Sequence, residues 1–345
     1  MSKILVTGGS GYIGSHTIID LLDHGFEVVS IDNFKRSLPT ALDNIQKVTG
    51  KKIMNYEIDL CDRAAVESVF EKEKNISGII HFAALKSVPE SVSNPLMYYH
   101  NNLESLVVLL YIAQKYKVGQ FVFSSSCSVY GNAEELPVTE DTPLQEAESP
   151  YARSKQISEK IILDYSKVSD SKFVVLRYFN PVGAHESALI GEDPRDGLVF
   201  NIFPRVTGTA LGQYDHFDVL GSDYPTRDGT CVRDYIHVMD IAHAHTLAIQ
   251  YLDKNPDAPQ YDIFNLGTGN GVTVLEVIQA FERVSGVKLK YQMQPRRAGD
   301  VMAIYANNEK AKNKLGWTAT RDLDTMLRSA WQWEQEKIRN KPSNN

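Results

Sequence analysis

Cysteine is scarce in this chain. Cys61, Cys127 and Cys231 are the three in 345 residues, odd in number and widely spaced. That excludes a disulfide framework and any closely spaced thiolate metal motif, and it predicts reduced thiols in a cytoplasmic protein. Basic charge is short as well: 36 Lys and Arg against 43 Asp and Glu leave a net charge of −7. No nucleic-acid or anionic-membrane partner is implied. No apolar run approaches the ~20 residues of a membrane helix. An apolar strand pattern begins at Lys3, so no secretory leader is expected. Internal repeats and low-complexity linkers are lacking. His243 and His245 stand two apart on an apolar-periodic helix, so they face different ways and no metal site is expected from them.

What is present reads as an ordinary globular chain, 43% apolar and 23% charged. Its length exceeds the ~250–300 residues at which one core stops growing, so a main body with a smaller lobe is expected. The first half alternates short β-branched runs with helical stretches. Strands are predicted at 3–7, 27–31, 53–58, 78–82, 120–125 and 172–177, and helices at 12–24, 38–49, 62–74, 95–116 and 150–168. Such alternation predicts an α/β fold, a Rossmann-type doubly wound parallel sheet, with ligand beyond the carboxyl ends of its strands. After about residue 180 the chain becomes loop-rich. A smaller C-terminal mixed α/β lobe is predicted, with helices at 198–211, 239–253, 273–285 and 322–339 and strands near 217–220 and 288–292. Residues 1–180 would form the body, 181–345 the lobe, with a segment near 234–266 returning to the main sheet through a strand at 261–266. The polar tail 337–345 is expected to fray.

The segment Gly8-Gly-Ser-Gly11-Tyr12-Ile13-Gly14 joins the first strand to the first helix. Glycine at every third position lets the backbone turn tightly and approach a diphosphate, which the helix N-terminus then faces. Asp32 ends the next apolar run, where a carboxylate accepts hydrogen bonds from the adenosine ribose and repels a 2′-phosphate. NAD is therefore preferred over NADP. Lys35 and Arg36 stand close by, and a nearby arginine is how NADP is accommodated, so the preference rests on the carboxylate.

Tyr151-Ala-Arg-Ser-Lys155 opens a helix after Ser149-Pro150. Residues four apart share a helix face, and an ammonium beside a phenol favours the phenolate. Lowered toward neutrality, Tyr151 becomes a general base for an alcohol proton. The strand Phe121–Ser126 ends in three hydroxyls at the sheet's carboxyl edge, and a serine there shares the oxygen that the tyrosine deprotonates. The glycine turn, the serine cluster and the Tyr–Lys pair, in this order, predict an NAD-dependent alcohol/ketone site.

With these motifs the chain resembles the extended, sugar-nucleotide branch of the short-chain dehydrogenase/reductase superfamily. Further blocks narrow the likeness: Asp59-Leu60, His81–Lys86, Tyr98–Asn101, Arg177–His185, Gly229–Val238 and Pro295–Asp300. Together they are similar to the UDP-hexose 4-epimerases over essentially the whole chain. The resemblance implies Tyr151 as catalytic base, Ser126 sharing the substrate hydroxyl and Lys155 bridging to the nicotinamide ribose. It implies that Gly8, Gly11, Tyr12, Ile13, Gly14, Asp32, Asn33, Asp59, Leu60, Phe82, Ala83, Lys86, Asn101, Tyr151, Lys155 and Phe179 line NAD. Asn180, Asn201, Leu220, Arg233, Arg297 and Asp300 would hold the UDP, with Ile304 beside the hexose. It further implies a UDP-hexose substrate inverted at C4 through a transient 4-keto sugar, and a homodimer paired through helices 95–116 and 150–168.

Two points stay open at this stage. Ile304 stands where many hexose-only members carry tyrosine, so UDP-N-acetylhexosamines are an alternative substrate. Sister 4,6-dehydratases carry an Asp-Glu pair beside the catalytic hydroxyl residue, and Ser126-Cys127-Ser128 offers none. A non-catalytic NAD-sensing regulator would lack the Tyr–Lys pair that this chain has.

Overall fold

The computed structural model describes residues 2–195, 201–297 and 300–339. The chain runs β1 (Lys3–Thr7), α1 (Tyr12–Asp23), β2 (Glu27–Ile31), α2 (Thr40–Thr49), β3 (Met54–Tyr56), α3 (Arg63–Lys72) and β4 (Ile76–His81). Then come α4 (Val88–Ser93), α5 (Pro95–Lys115), β5 (Gln120–Ser126), a 3₁₀ turn (Cys127–Tyr130), α6 (Pro150–Ser166) and β6 (Lys172–Tyr178). The second half holds β7 (Asn180–Val182), α7 (Ile202–Ala210), β8 (Phe217–Leu220), β9 (Val232–His237), α8 (Val238–Lys254) and β10 (Tyr261–Leu266). It closes with β11 (Gly271–Thr273), α9 (Val274–Ser285), β12 (Tyr291–Gln294), β13 (Ala303–Ile304), α10 (Glu309–Leu315) and α11 (Leu323–Arg339).

Seven strands form one parallel sheet in the order β10-β6-β5-β4-β1-β2-β3. This is the doubly wound Rossmann arrangement, with the order reversing beside β1. The period of two sends alternate side chains to opposite faces. Ile4 and Val6 of β1 pack in one core with α1 and α8, while Leu5 packs in the other with α3, α5 and α6. Ser149 caps α6 through the Ala152 amide, and Pro150 fills its first turn. That cap fixes where the Tyr151–Lys155 turn begins.

β6 does not end the story of its strand. After Phe179 the chain crosses into a second sheet, where β7 pairs β9 and β9 also pairs β11 and β13. Asn180 lies opposite Tyr235, and Ile304 opposite Arg233. Phe179 and Asn180 thus stand at the seam between the two sheets. α8 packs on α1, and β10 joins the main sheet beside β6.

The expected body strands are present within a few residues. The strand expected at 288–292 falls at Tyr291–Gln294, in parallel register with Phe217–Leu220. β7, β9, β11, β13, α4 and α10 were not anticipated. All but β9, α4 and α10 have two or three residues, too few for a periodicity. Of the helix expected at 198–211, residues 198–200 lie outside the described residues, as do 340–345 of the tail. Lys337–Arg339 belong to α11. Among the described residues, no helix is long and apolar enough to cross a membrane.

Candidate active site

The glycine turn is built by exclusion. Gly8 takes a φ of +71°, a conformation that side chains rarely adopt. A Cβ on Gly14 would lie 2.2 Å from the Gly8 carbonyl oxygen, so α1 cannot seat against the turn with any larger residue there. No side chain caps α1, and no acidic residue stands in its first turn. Its N-terminal amides are therefore left for an anion from outside the chain.

Asp32 is buried and ties the neighbouring loops together. Its carboxylate accepts from the Ser10 amide at 2.9 Å, the Phe34 amide at 2.9 Å and the Ser37 hydroxyl at 2.8 Å. A carboxylate offers about four acceptor positions, so capacity for a ribose hydroxyl remains. Lys35 pairs with Asp59 at 2.6 Å, and Arg36 pairs with Glu90. Both cations near a would-be 2′-phosphate are already engaged by acids.

The hydroxyl cluster and the Tyr–Lys pair meet at the carboxyl edge of β5. The Ser126 hydroxyl stands close enough to the Tyr151 phenol to favour its ionised form. Lys155 is buried, and its Nζ donates to the Ser124 carbonyl at 2.6 Å while lying 4.8 Å from the Phe123 ring centroid. Burial lowers the Lys155 ammonium to about 8, with the Glu159 carboxylate pulling back up. The expected acidification of Tyr151 is not found. Burial pushes its phenol up to about 12, Ser126 pulls it down, and the Cys127 thiol adds a smaller upward push. The physical reason is that the ammonium's hydrogen bond goes to the backbone of β5 and not to the phenol. Cys127 itself is pushed up to about 12 by burial and packs as a neutral thiol against the cluster of Tyr130, Phe179 and Ile304.

On the lobe side, Asp300 gathers two arginines. Its Oδ1 accepts from Arg233 at 2.6 Å and from Arg297 at 3.2 Å. Arg233 is largely buried, while Arg297 is half exposed. Among the described residues the buried Asn180 side-chain oxygen has no hydrogen-bond partner. Leu220 ends β8 beside this loop. Asn201 donates to Glu192 at 2.8 and 2.9 Å, and Lys86 reaches the same carboxylate at 2.7 Å. Phe82 packs against His245, the Ala83 amide donates to the Thr7 hydroxyl at 3.3 Å, and Leu60 and Phe179 are buried. Asn101 donates to Asn102, which in turn holds Leu85 of the loop after β4. His237 caps α8 and contacts Ser329, a packing role.

The chain thus carries an uncapped helix start after the glycine turn, a pair of hydroxyls at the end of β5 and the start of α6, and an arginine–aspartate cluster on the lobe. The profile of the GDP-mannose 4,6 dehydratase family matches residues 5–330. The UDP-glucose 4-epimerase of Bacillus subtilis is 47% identical over 336 residues, 97% of each chain. The chain belongs to the UDP-glucose 4-epimerase family. The mouse UDP-glucose 4-epimerase is 45% identical over 97% of both chains. The crystal structure of the Bifidobacterium longum UDP-glucose 4-epimerase, in complex with NAD+ and UDP, is 45% identical with a TM-score of 0.93 over 98% of this chain and 99% of that one. The dehydratase name of the broad family does not extend to the catalytic edge, where Ser126-Cys127-Ser128 carries no acid pair.

Some functional neighbours were not read from the sequence. Glu159, two turns along α6 from Tyr151, accepts from Ser125 at 2.5 Å and takes a bidentate ion pair from Arg177 at 3.0 and 2.6 Å. This buried pair locks α6 to β5 and β6, and with it the register of Tyr151 and Lys155. Asp234, next to Arg233, accepts from Thr268 at 2.8 and 2.6 Å and from the Gly269 and Ala306 amides at 3.1 Å. It binds β9 to the loops that follow β10 and β13. A spacing of eight along α6 was a legible signal for Glu159; the partners of Asp234 lie 34 to 72 residues away and carried none.

Proposed function

We propose that this protein inverts C4 of UDP-hexoses, interconverting UDP-galactose and UDP-glucose, with NAD as its resident cofactor. The observations that carry this reading are the Ser126–Tyr151 hydroxyl pair at the sheet edge and the Arg233–Asp300–Arg297 cluster on the lobe. The chain suits the cofactor: α1 has no competing cap, and the turn at Gly8, Gly11 and Gly14 leaves no side chain in the diphosphate's way.

In this reading Tyr12 and Ile13 meet the diphosphate, and Asp32 and Asn33 take the adenosine ribose. Asp59 and Leu60 flank the adenine. Phe82, Ala83, Lys86, Asn101 and Phe179 line the remaining path, and Lys155 holds the nicotinamide ribose. When bound, the nicotinamide would supply a reversible hydride acceptor. Tyr151 takes the proton of the sugar 4-hydroxyl, and Ser126 holds the same oxygen. The 4-keto sugar turns about its link to the pyrophosphate and presents its other face. Tyr151 then returns the proton to the inverted alcohol. Arg233 and Arg297 fork onto the pyrophosphate, which frees Asp300 to accept from the uridine ribose. Asn180, Asn201 and Leu220 complete the hold. Anchoring at the nucleotide leaves the hexose loose enough to turn beside Ile304.

Residues 2–180 with α8 and β10 serve as the cofactor body, and the remainder as the substrate lobe. Two copies pair through α5 and α6, where Leu96, Tyr111 and Leu163 stand exposed; Leu96 is 81% exposed. A monomer in sedimentation at micromolar concentration would overturn this. Three cysteines without disulfides fit a cytoplasmic setting. The direct test incubates the protein with UDP-galactose and measures UDP-glucose. Tyr151→Phe should cut turnover by roughly 10²–10⁴-fold, and parent-like turnover would sink the base assignment.

A further inference from the structure

Away from this site, the end of α1 meets α8. Asp20 lies in the last turn of α1, His24 just past its end, and His243 on α8. Asp20 Oδ1 is 3.3 Å from Nδ1 of His24 and 3.3 Å from Nδ1 of His243. The three candidate ligand atoms all lie within 4.8 Å of one another, and the two imidazole centroids are 5.1 Å apart. Tetrahedral zinc with bonds of about 2.0–2.1 Å separates its ligand atoms by roughly 3.3 Å. Two of the three edges of such a site are therefore already set.

The donor chemistry points the same way. Two imidazoles and one carboxylate suit zinc or cobalt and not magnesium or calcium, which take oxygen. The carboxylate is held in place by burial, since Asp20 is 8% exposed between α1 and α8. The C-terminal end of α1 favours a cation. The His24 and His243 side chains are 37% and 40% exposed, which leaves an entry path and room for water as a fourth ligand.

We propose that Asp20, His24 and His243 form a site for one zinc ion, which clamps the end of α1 to α8. His24 Nδ1 now lies 2.7 Å from the Asp20 carbonyl oxygen. Loading therefore moves that ring's proton to Nε2 and exchanges the hydrogen bond for a metal bond, a cost that holds affinity to the micromolar range. The clamp acts on the helix whose opposite end carries the glycine turn, so it stiffens the cofactor body without touching Tyr151, Ser126 or Lys155.

The test uses untagged, cofactor-loaded protein titrated with zinc chloride in a calorimeter, and with cobalt chloride read by visible absorption. One ion per chain should bind, with the intense cobalt bands of a tetrahedral site. At about a hundredfold excess over Kd the melting temperature should rise by a few degrees and fall back on adding EDTA. His24→Ala and His243→Ala should each weaken binding about tenfold or more, with epimerase turnover in metal-free buffer unchanged. Absence of saturable binding below about 100 μM overturns the proposal, as does one-to-one binding that both variants leave intact. Binding that His24→Ala weakens but His243→Ala leaves alone also overturns it, because the clamp needs both helices.

Discussion

Lys155 is a charged group kept where charge is costly, and Lys155→Met should separate stability from catalysis. Its Nζ is buried, and burial lowers it from an ordinary 10.5 to about 8. The difference of about 2.5 pH units corresponds to roughly 3 kcal/mol of penalty on the charged form at neutral pH. The sign follows from proton counts. Between pH 8 and 10.5 the unfolded chain binds this proton and the folded chain does not, so stability rises with pH across that window. Below pH 8 the penalty is present in full. Lys155→Met removes it but also removes the hydrogen bond to the Ser124 carbonyl, worth about 1–2 kcal/mol. A net gain of about 1–2 kcal/mol remains, or a few degrees in melting temperature at pH 7. The measurement is thermal and urea unfolding of cofactor-free protein, because bound NAD adds its own linkage. The advantage of Lys155→Met should shrink as pH rises from 8 to 10, and its epimerase turnover should be lost. A variant less stable than the parent at pH 7, or an advantage that does not change with pH, would refute the reasoning.

Four buried histidines set the acid limit. Burial pushes His16, His81 and His237 down to about 3 and His245 to about 4; their stabilising neutral state is intact above pH 6.5 and lost as pH falls. One unit below 6.5 they together remove roughly 5 kcal/mol, so fluorescence-detected unfolding should set in near pH 5, and a fold intact at pH 4 would contradict this. Gly14→Ala forces a Cβ to within 2.2 Å of the Gly8 carbonyl oxygen, so NAD should no longer co-purify, as read by absorbance after denaturation. Arg177→Met leaves Glu159 buried and unpaired, which should cost about 3–5 kcal/mol in urea unfolding; removing both charges with Glu159→Gln should recover much of it. Ile304→Tyr should reduce turnover of UDP-N-acetylglucosamine more than of UDP-galactose, measured side by side.

Local pattern carried the body of this molecule. β1, β2 and β6 centre on β-branched or apolar runs, and α6 has a start signal in Ser149-Pro150 ahead of Tyr151. The glycine turn and Asp32 were legible because the backbone demands there are met by residue type alone. The lobe was less legible: β7, β11 and β13 are two or three residues long and exist only because β9 offers them partners. The same division runs through the chemistry. A Tyr and a Lys four apart fix a shared helix face, which the sequence states outright. Whether the ammonium acidifies the phenol depends on what else surrounds both, and here the Ser124 carbonyl claims the ammonium while burial raises the phenol to about 12. In this chain burial works against the phenolate, and the Lys155 hydrogen bond that could offset it goes to the Ser124 carbonyl.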